Sequence, residues 1–265
     1  MLWSQGLVSD RAPAECGAAA PPHVDSRSVP PSLTVVVPIH NEAGFLPEAV
    51  PRLLATLDRV GPGTTAILAE NGSTDDTAAV AVRAAGGDPR ITVLRLPTPD
   101  YGAAMRDGFL AARSEWVANV DIDYFSAEFL SAALALAAEA DVVLASKRAP
   151  GAVDHRGPIR RLATFTFNLL LRTLLGSQVS DTHGMKVIRS TVIAEIAPRV
   201  TSTKDLFDTE LVIRAERAGY RIREIPAVVE ELRATRSSLL KRVPRTVRGL
   251  WRIRRTLRAE SRNRS

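Results

Sequence analysis

Residues 116–123 read WVANVDID, an apolar run that ends in two carboxylates. Such a run is typical of a buried strand that delivers acids to its carboxyl end. Alternate residues of a strand share a face, so Asp121 and Asp123 are expected to point the same way. Ligands of open α/β sheets bind beyond the carboxyl ends of the strands. Two acids there suit Mg²⁺ or Mn²⁺, which usually also contact substrate phosphates.

The sequence on both sides of this stretch alternates between short apolar runs and segments with helical spacing. Continuous or β-branched apolar runs predict buried strands, and amphipathic segments predict helices. Strands are predicted at 33–38, 65–69, 91–94, 116–120, 141–146 and 220–226. Helices are predicted at 42–57, 77–84, 103–112, 129–138, 162–175 and 208–218, and from about residue 243 to the end. This alternation predicts an α/β fold with a mostly parallel sheet and helices on both faces.

Composition divides the chain into three parts. Residues 1–31 are rich in Ala, Pro and Ser without a periodic pattern and are expected to be a disordered leader. Residues 32–235 are the predicted folded domain, and 236–265 a basic amphipathic tail. The single cysteine excludes an intramolecular disulfide framework and a cysteine-based zinc site. No apolar run approaches the roughly 20 residues that span a bilayer, and the N-terminus lacks the features of a signal peptide, so a cytoplasmic location is expected.

The net charge of +6 is unevenly distributed. Twelve basic residues and one acid follow residue 232, so the rest of the chain is mildly acidic. On a helical wheel, one face of the tail carries Val243, Val247, Leu250, Trp251, Ile253 and Leu257, and the opposite face Arg245, Arg248, Arg252 and Arg255. This pattern predicts contact with an anionic membrane surface, and packing on the folded domain is the alternative. Nucleic acid is not an expected partner, because no aromatic platform or recognition motif accompanies the basic residues.

Three loops after predicted strands carry polar residues suited to a nucleotide. The sequence PIHNE (38–42) follows the first strand, ENGSTDDT (70–77) ends the second, and the two acids follow the fourth. In the middle loop an Asn-Gly pair predicts a turn, and Ser73 or Thr74 is expected to cap the next helix. Capping is the alternative to ligand binding for this loop.

In order and spacing, these motifs resemble those of family 2 glycosyltransferases, which have the GT-A fold. The resemblance covers roughly residues 33–235, and the most similar branch is the polyprenyl-phosphate (dolichyl-phosphate) mannose and glucose synthases. The matching motifs are P-x-x-N-E at 38–42, D-x-G-S-x-D-x-T at 70–77, a loose glycine pattern at 102–108, D-x-D at 121–123, G-S-[RK] at 145–148, D-x-x-S-G-F-[KR] at 181–186, E-L-x-x-[RK]-A at 210–215 and E-[VI]-P at 224–226.

The resemblance implies roles for individual residues. Asp121 would face the ribose or sugar, and Asp121 and Asp123 would hold the metal. The nucleotide-sugar site would also include Pro38, Asn41, Glu42, Glu70, Ser73, Asp75, Gly102, His183 and Gly184. The acceptor phosphate would meet Lys147, Arg148, Arg160, Arg161 and Arg233. The implied catalytic residues are Asp121, Asp123, Asp181 and Glu210.

The implied activity is inverting, metal-dependent transfer of a hexose from a UDP- or GDP-linked sugar to a polyprenyl phosphate at the inner face of the cell membrane. That acceptor is already ionised at neutral pH, whereas a hydroxyl acceptor needs a carboxylate such as Asp181, Asp208 or Glu210 to take its proton. A hydroxyl of a polysaccharide, glycolipid or secondary metabolite is the enzymatic alternative. A non-catalytic homologue that binds a nucleotide or the membrane is the other. A dehydrogenase is disfavoured, because no Gly-x-Gly-x-x-Gly follows the first strand.

Three positions depart from the family pattern. Glu70 stands where Asp is usual, which lengthens the reach to the base by one methylene. Phe125 stands where a polar residue, often Gln, is common, so one possible metal ligand is missing. His183 and Gly184, followed by Met, replace Ser-Gly-Phe, which leaves the sugar and the acceptor open.

Overall fold

The computed structural model of this chain describes residues 31–149, 151–154, 158–203, 206–229 and 239–262. The predicted leader, apart from its last position, and Arg233 lie outside the described residues. The leader and the domain boundaries stay predictions.

The strands form one large sheet and one small sheet. In chain order they are β1 (Leu33–Ile39), β2 (Thr64–Asn71), β3 (Ile91–Leu96), β4 (Trp116–Asn119), β5 (Val142–Ser146), β6 (Val153–Asp154), β7 (Lys186–Arg189), β8 (Ile222–Pro226) and β9 (Val228–Val229). The large sheet has the order β3-β2-β1-β4-β7-β5-β8, and β6 pairs with β9. Only β7 runs antiparallel to its neighbours in the described sheet. The predicted mostly parallel α/β architecture is confirmed.

Helices cover both faces of the sheet. They are α1 (Leu46–Val60), α2 (Thr77–Ala85), α3 (Tyr101–Ala111), α4 (Ala127–Ala135), α5 (Pro158–Leu170), α6 (Ser190–Ile196), α7 (Phe207–Arg217) and α8 (Leu239–Arg262). A π-helical turn, Leu171–Leu175, continues α5, and a 3₁₀ turn, Ala197–Arg199, follows α6. Helix α1 begins four residues later than predicted, because residues 43–45 form a turn and a proline occupies the first helical turn.

The core lies on both sides of the sheet. In β1, Val35 and Val37 face the side covered by α1 and α4, and Val36 faces the side of α3 and α7. Because both faces are buried, the parallel strands read as continuous apolar runs rather than as alternating patterns. Strand β7 was not predicted, since a lysine at position 186 interrupts the apolar run. The short helix α6, of seven residues, was not predicted either.

Helix α8 packs on the body through one apolar stripe. Leu250, Ile253 and Leu257 are buried with residues of α7 and the π-helical turn. The predicted alternative, packing on the folded domain, is therefore realised for this stripe. Val243 and Trp251 remain 56% and 49% exposed.

No described helix is both long enough and apolar enough to cross a membrane.

Candidate active site

An open cleft of about 240 Å³ lies beyond the carboxyl ends of β1, β2 and β4. Four predicted site residues line it, and they come from the end of β1 with its following loop and from the loop after β4: Pro38, Glu42, Asp121 and Asp123. His40, Asn71 and Tyr101 complete its polar lining. Ligands of this fold class bind at this edge of the sheet, so the cleft is the candidate donor site.

Asn41 joins the loop after β1 to the loop after β2. Its backbone has φ of 54°, a left-handed conformation that Asn adopts more readily than most residues. Its N–H donates to Ser73 Oγ at 3.0 Å, and its Oδ1 accepts from the Thr74 N–H at 2.9 Å. Glu70 accepts the Ser73 N–H at 2.6 Å. Asn41, Ser73 and Glu70 are thus brought together beside the cleft.

Asp75 organises the start of α2. It accepts the Thr77 N–H at 3.0 Å and the Ala43 N–H at 3.4 Å, and the Thr77 hydroxyl bond lowers its pKa. The prediction that Ser73 or Thr74 caps this helix is wrong, because both residues form hydrogen bonds with Asn41 in the loop after β1 instead. Asp75 holds the first turn of α2 and the β1 loop together.

The turn after β2 forms a third side of the cleft. His40 Nδ1 donates to the Asn71 carbonyl oxygen at 2.7 Å, and Asn71 Oδ1 accepts the Asp100 N–H at 2.7 Å. Gly72 has φ of +55°, and a Cβ there would lie 2.5 Å from the backbone of Thr98. Only glycine fits this close approach to the backbone. Through the bonds of Asn71, the turn after β2, the loop after β1 and the start of α3 form one wall of the cleft.

Asp121 and Asp123 directly follow β4 and reach the cleft. Asp121 is exposed toward the open cleft, but the protein atoms packed around its carboxyl raise its pKa to about 6, although Lys186 and Lys147 oppose the shift. The negative charges of Asp123 and Asp208 also raise it. A cation bound between the two cleft carboxylates would relieve this repulsion.

The two carboxylates fit a divalent cation such as Mg²⁺ or Mn²⁺. Such an ion is commonly held by one or two carboxylates and takes its other ligands from water and substrate phosphates. Within the described ranges, no group of three or more His, Cys, Asp or Glu residues is arranged to hold a metal. Phe125 packs against the core, with the Arg52 guanidinium 5.8 Å from its ring centroid, and supplies no ligand. The site therefore suits an ion that substrate helps to bind.

A buried polar network lies next to these acids and centres on Asp208 of α7. Its Oδ1 accepts from Asn119 Nδ2 at 2.8 Å and from Lys186 Nζ at 3.2 Å. Its Oδ2 accepts from the Tyr101 hydroxyl at 2.7 Å. Burial and the Asp208 charge raise the pKa of Tyr101 well above its usual range, so its hydroxyl stays a donor. Every group in the network has a partner, as buried charges require.

Tyr101, Asn119 and Lys186 were not predicted as site residues. Asn119 pairs with Lys186 in the β4–β7 register, at the end of the strand that carries the two acids. Lys186 is only 1% exposed. The sequence signal for Asn119 and Lys186 was a polar residue inside an apolar strand. Burial of an amide or a lysine requires a polar partner, so such a residue indicates a buried polar network.

Asp181 is buried and forms an ion pair with Lys147. The distance from Oδ2 to Nζ is 3.2 Å, and Oδ1 accepts the His183 N–H at 3.0 Å. Burial acts to raise the pKa of Asp181, but Lys147 and the His183 N–H hold it below its usual range. A carboxylate of low pKa is a weak proton acceptor, so Asp181 fits a role in positioning Lys147 better than the predicted base.

Three of the predicted phosphate-binding residues lie on or beside α5: Arg148, Arg160 and Arg161. Exposed Arg148 follows Lys147, and its guanidinium lies 5.3 Å from the Phe165 ring centroid. Arg161 is exposed on α5, and Arg160 lies in the same helix with a side chain outside the described part. Arg148 is thus placed beside an apolar helix face.

That face of α5 is exposed. Leu162, Phe165 and Leu169 are 64%, 52% and 51% exposed. Their spacing of three and four residues places them on one side of the helix. The sequence left lipid contact and core packing open for this segment, and these three residues do not enter the core.

His183 and the two predicted glycines have clear packing environments. The exposed His183 ring lies edge-on to Phe167 with centroids 4.9 Å apart. A Cβ at Gly184 would lie 2.3 Å from the Ala145 carbonyl oxygen, and one at Gly102 would lie 2.9 Å from that of Ser202. Close backbone packing explains both glycines, and their contact with a ligand stays a prediction.

Glu210 does not fit the catalytic base predicted for it. It is fully buried in α7 and accepts from Arg214 Nε at 2.7 Å and from the Ser202 N–H at 2.7 Å. Arg214 in turn pairs with Glu260 of α8 at 2.9 Å. With no exposed surface, Glu210 cannot take a proton from a substrate, and it holds the 201–202 segment in place instead.

The sequence profile described as "Glycosyl transferase family 2" matches residues 34–197. An uncharacterized glycosyltransferase of Mycobacterium tuberculosis is 32% identical over 195 residues, which cover 73% of this chain and 83% of that protein. Polyprenol monophosphomannose synthase of Mycolicibacterium smegmatis is 31% identical over 207 residues, which cover 74% of this chain and 77% of the synthase.

The fold has a solved counterpart in glucosyl-3-phosphoglycerate synthase from Mycobacterium tuberculosis, whose structure contains Mn²⁺, UDP and glucosyl-3-phosphoglycerate. The TM-score is 0.60 at 18% identity, and the match covers 84% of this chain and 78% of that one. This likeness establishes the GT-A fold. The profile match and the sequence relatives establish the rest: this chain is a glycosyltransferase and belongs to glycosyl transferase family 2.

Proposed function

We propose that this glycosyltransferase moves a hexose from a UDP- or GDP-linked sugar to a polyprenyl phosphate, with inversion, at the cytoplasmic face of the cell membrane. The observation that carries the proposal is the position of Arg148 over Phe165. A cation stands there beside an exposed apolar helix face. An acceptor with a phosphate and a long hydrocarbon chain needs both.

The donor would lie in the cleft. Asp121 and Asp123 would hold Mg²⁺ or Mn²⁺, which when bound would neutralise charge on the leaving diphosphate. The β1 loop and Asn71 would face the base and ribose. The Asp208 network would keep the floor of the cleft rigid, so that its groups are already oriented when the donor arrives.

The state of the candidate bases favours a phosphate acceptor. Asp181 is paired with Lys147, Asp208 accepts three hydrogen bonds, and Glu210 is fully buried. None of these three carboxylates is poised to take a proton from a hydroxyl. An ionised phosphate oxygen attacks the anomeric carbon without that step. The name of the relative from Mycolicibacterium smegmatis supports the same acceptor class.

Membrane contact is proposed through α5 and the outer side of α8. Of the seven large exposed apolar side chains in the described residues, five belong to these two helices: Leu162, Phe165, Leu169, Val243 and Trp251. The buried stripe of α8 is used for packing on the body, so α8 would contact lipid through Trp251 and the basic residues beside it.

A hydroxyl acceptor is the second candidate, and Asp121 is the observation that favours it. A carboxyl group with a pKa of about 6 is suited to accept a proton near neutral pH. In that case Asp121 would act as the base, and Asp123 alone would hold the divalent ion.

The experiment combines purified protein, Mg²⁺ or Mn²⁺, polyprenyl phosphate in liposomes and a panel of radiolabelled nucleotide sugars. We expect label to enter the lipid phase and to be lost in Asp123→Ala. Slow hydrolysis of the donor without lipid labelling would replace the proposal by a hydroxyl acceptor. Neither activity, in protein shown to be folded, would indicate a non-catalytic binder.

A further inference from the structure

Glu224 lies in β8, outside the lining of the donor cleft, and its carboxylate binds a segment that is distant in sequence. Its Oε1 accepts the Ser180 N–H at 2.7 Å and the Asp181 N–H at 3.2 Å. Its Oε2 accepts the Ser180 hydroxyl at 2.8 Å. Both oxygens of Glu224 therefore bind residues 180–181, called here the serine–aspartate segment, which lies between the π-helical turn and β7.

The Ser180 hydroxyl connects Glu224 to the end of β5. Because an ionised carboxylate only accepts, Ser180 donates to Glu224, and Ser146 Oγ donates to Ser180 Oγ at 2.7 Å. Ser146 is fully buried, and its Oγ also accepts the Arg148 N–H at 3.1 Å. These hydrogen bonds thus run from β8 to the backbone of Arg148, one of the proposed acceptor cations.

Asp181 connects the same segment to a second proposed acceptor cation, Lys147. Glu224 binds the backbone N–H of Asp181, and the Asp181 carboxylate pairs with Lys147 Nζ at 3.2 Å. The Asp181 side chain is 4% exposed and the Lys147 side chain 14% exposed. A lysine ammonium is a point charge on a flexible stem, so its position depends on the group that binds it. The position of the Lys147 charge therefore depends on a segment that Glu224 holds.

The serine–aspartate segment also contacts α5. Asn168 Nδ2 donates to the Ser180 carbonyl oxygen, and Asn168 is only 5% exposed. The next residue in α5 is Leu169, which belongs to the exposed apolar face of that helix. The backbone N–H, the hydroxyl and the carbonyl of Ser180 thus bind β8, β5 and α5. One segment fixes both acceptor cations relative to the apolar face.

We propose that Glu224 is a positioning residue for the acceptor: it holds the serine–aspartate segment so that Asp181 places Lys147 beside the apolar face of α5. The inference rests on the proposed function, in which Lys147 meets the acceptor phosphate. Glu224 acts through Asp181 and does not touch the substrate. Hydrogen bonds to a charged acceptor are strong, and correct placement of a binding group contributes directly to the rate of transfer.

The first test measures the placement of Lys147 and needs no acceptor. The full chain is treated with an acetylating reagent, and mass spectrometry measures the rate of modification at each lysine. In Glu224→Ala, modification of Lys147 should be at least about fivefold faster, because a lysine released from its ion pair is a better target for acetylation. Lys186, which is 1% exposed and pairs with Asp208, is the internal control and should not change.

Glu224→Gln separates positioning from charge. The amide oxygen can accept both backbone N–H groups, and the amide nitrogen can donate to Ser180 Oγ. This variant keeps the contacts and removes the charge, so modification of Lys147 should stay within about twofold of the wild type. Equal acceleration in the Gln and Ala variants would overturn the inference, since the charge of Glu224 would then be its contribution.

Transfer kinetics test the consequence for the reaction. Glu224→Ala should raise the KM for polyprenyl phosphate about tenfold, because Lys147 is misplaced, and should leave donor hydrolysis within about twofold. Asp141→Asn is the matched control, because it removes a carboxylate that bonds Arg221 at the other end of the same strand pair. The control should change neither value. An equal loss of donor hydrolysis and transfer in Glu224→Ala would show general damage and overturn the inference.

The two measurements distinguish failure of this inference from failure of the proposed function. Unchanged modification of Lys147 in Glu224→Ala overturns the inference, whatever the acceptor is. Faster modification of Lys147, together with no lipid labelling by the wild type, supports the placement by Glu224 and contradicts the polyprenyl phosphate acceptor. Thermal unfolding checks each variant. If Glu224→Ala does not fold, Glu224→Asp, which keeps the charge but is one methylene shorter, should also accelerate the modification of Lys147.

Discussion

The proposed donor side and the proposed acceptor side of this molecule are built differently. Around the donor cleft, short hydrogen bonds between loops fix Asn41 and Asn71, and Asp75 holds the first turn of α2. On the acceptor side, Arg148 and the apolar face of α5 are open. A rigid cleft suits a donor of constant shape, whereas an open surface suits a flexible chain. Substitutions on the donor side should therefore affect every reaction, and those on the acceptor side only lipid labelling.

The largest effect is expected from Asp123→Asn on the donor side. Loss of one carboxylate should reduce hexose transfer about 10²–10³-fold, since charge on the leaving diphosphate is then poorly stabilised. Removal of divalent ions by a chelator should have a similar effect on the wild type. The readout is transfer of radiolabel, with donor hydrolysis measured in parallel. Equal activity of this variant and the wild type would contradict the assigned metal site.

The next effect concerns the buried network of Asp208 beside the donor cleft. Lys186→Met leaves Asp208 buried without its cation and should lower the free energy of unfolding by about 3–5 kcal/mol. Urea denaturation measures the change. The double variant Lys186→Met/Asp208→Asn should recover part of the loss, because no unpaired charge then remains. A double variant less stable than the single one would show that the ion pair is not the source of the effect.

Phe165→Ser/Leu169→Ser tests the acceptor side alone. Both side chains are exposed, so the fold should be unaffected. Loss of about 1.5–3 kcal/mol of apolar contact per side chain should raise the KM for a long-chain polyprenyl phosphate at least about tenfold. Donor hydrolysis should not change. Val82→Ser, at an exposed apolar position outside α5 and α8, is the matched control.

A smaller effect is expected at Asn41. Asn41→Ala loses the hydrogen bond to Thr74 and places alanine at positive φ, which should cost about 1–3 kcal/mol of stability. Asn41→Gly loses only the hydrogen bond. The difference between the two variants in thermal unfolding measures the backbone contribution, and identical values would show that the positive φ carries no strain.

The smallest effect is a pH dependence of stability at the ion pair of Asp141, which directly precedes β5, and Arg221, which directly precedes β8. The hydrogen bonds of Arg221 lower the pKa of Asp141 to about 2, below its ordinary value of 3.8. This pair stabilises the fold fully above pH 4, and the contribution is lost as pH falls toward 2. Because Arg221 is half exposed, we expect only about 1 kcal/mol. Asp141→Asn should lose this part of the acid slope in stability, with the wild type as reference.

Much of the fold could be predicted from the sequence, because buried parallel strands such as 33–38 read as unbroken apolar runs. Strand β7 could not, since Lys186 is buried only by virtue of Asp208, which is 22 residues away. The cleft residues Asp121 and Asp123 followed from their place at a strand end. Glu210 was wrongly predicted as a base, because the sequence shows its charge but not its contacts. In the structure, Arg214 and the backbone N–H of Ser202 bind its carboxylate oxygens.

The acceptor class is tested by comparing polyprenyl phosphate with polyprenol of the same chain length as acceptors for the purified protein. Both are presented in liposomes with the same labelled nucleotide sugar and divalent ion. We expect label on polyprenyl phosphate and none on polyprenol, because Asp181, Asp208 and Glu210 are not arranged to take a proton from a hydroxyl, and Asp121 would be held by the divalent ion. The exposed Arg148, beside the apolar face of α5, is placed to meet a phosphate instead. Efficient labelling of polyprenol would contradict the proposed acceptor class.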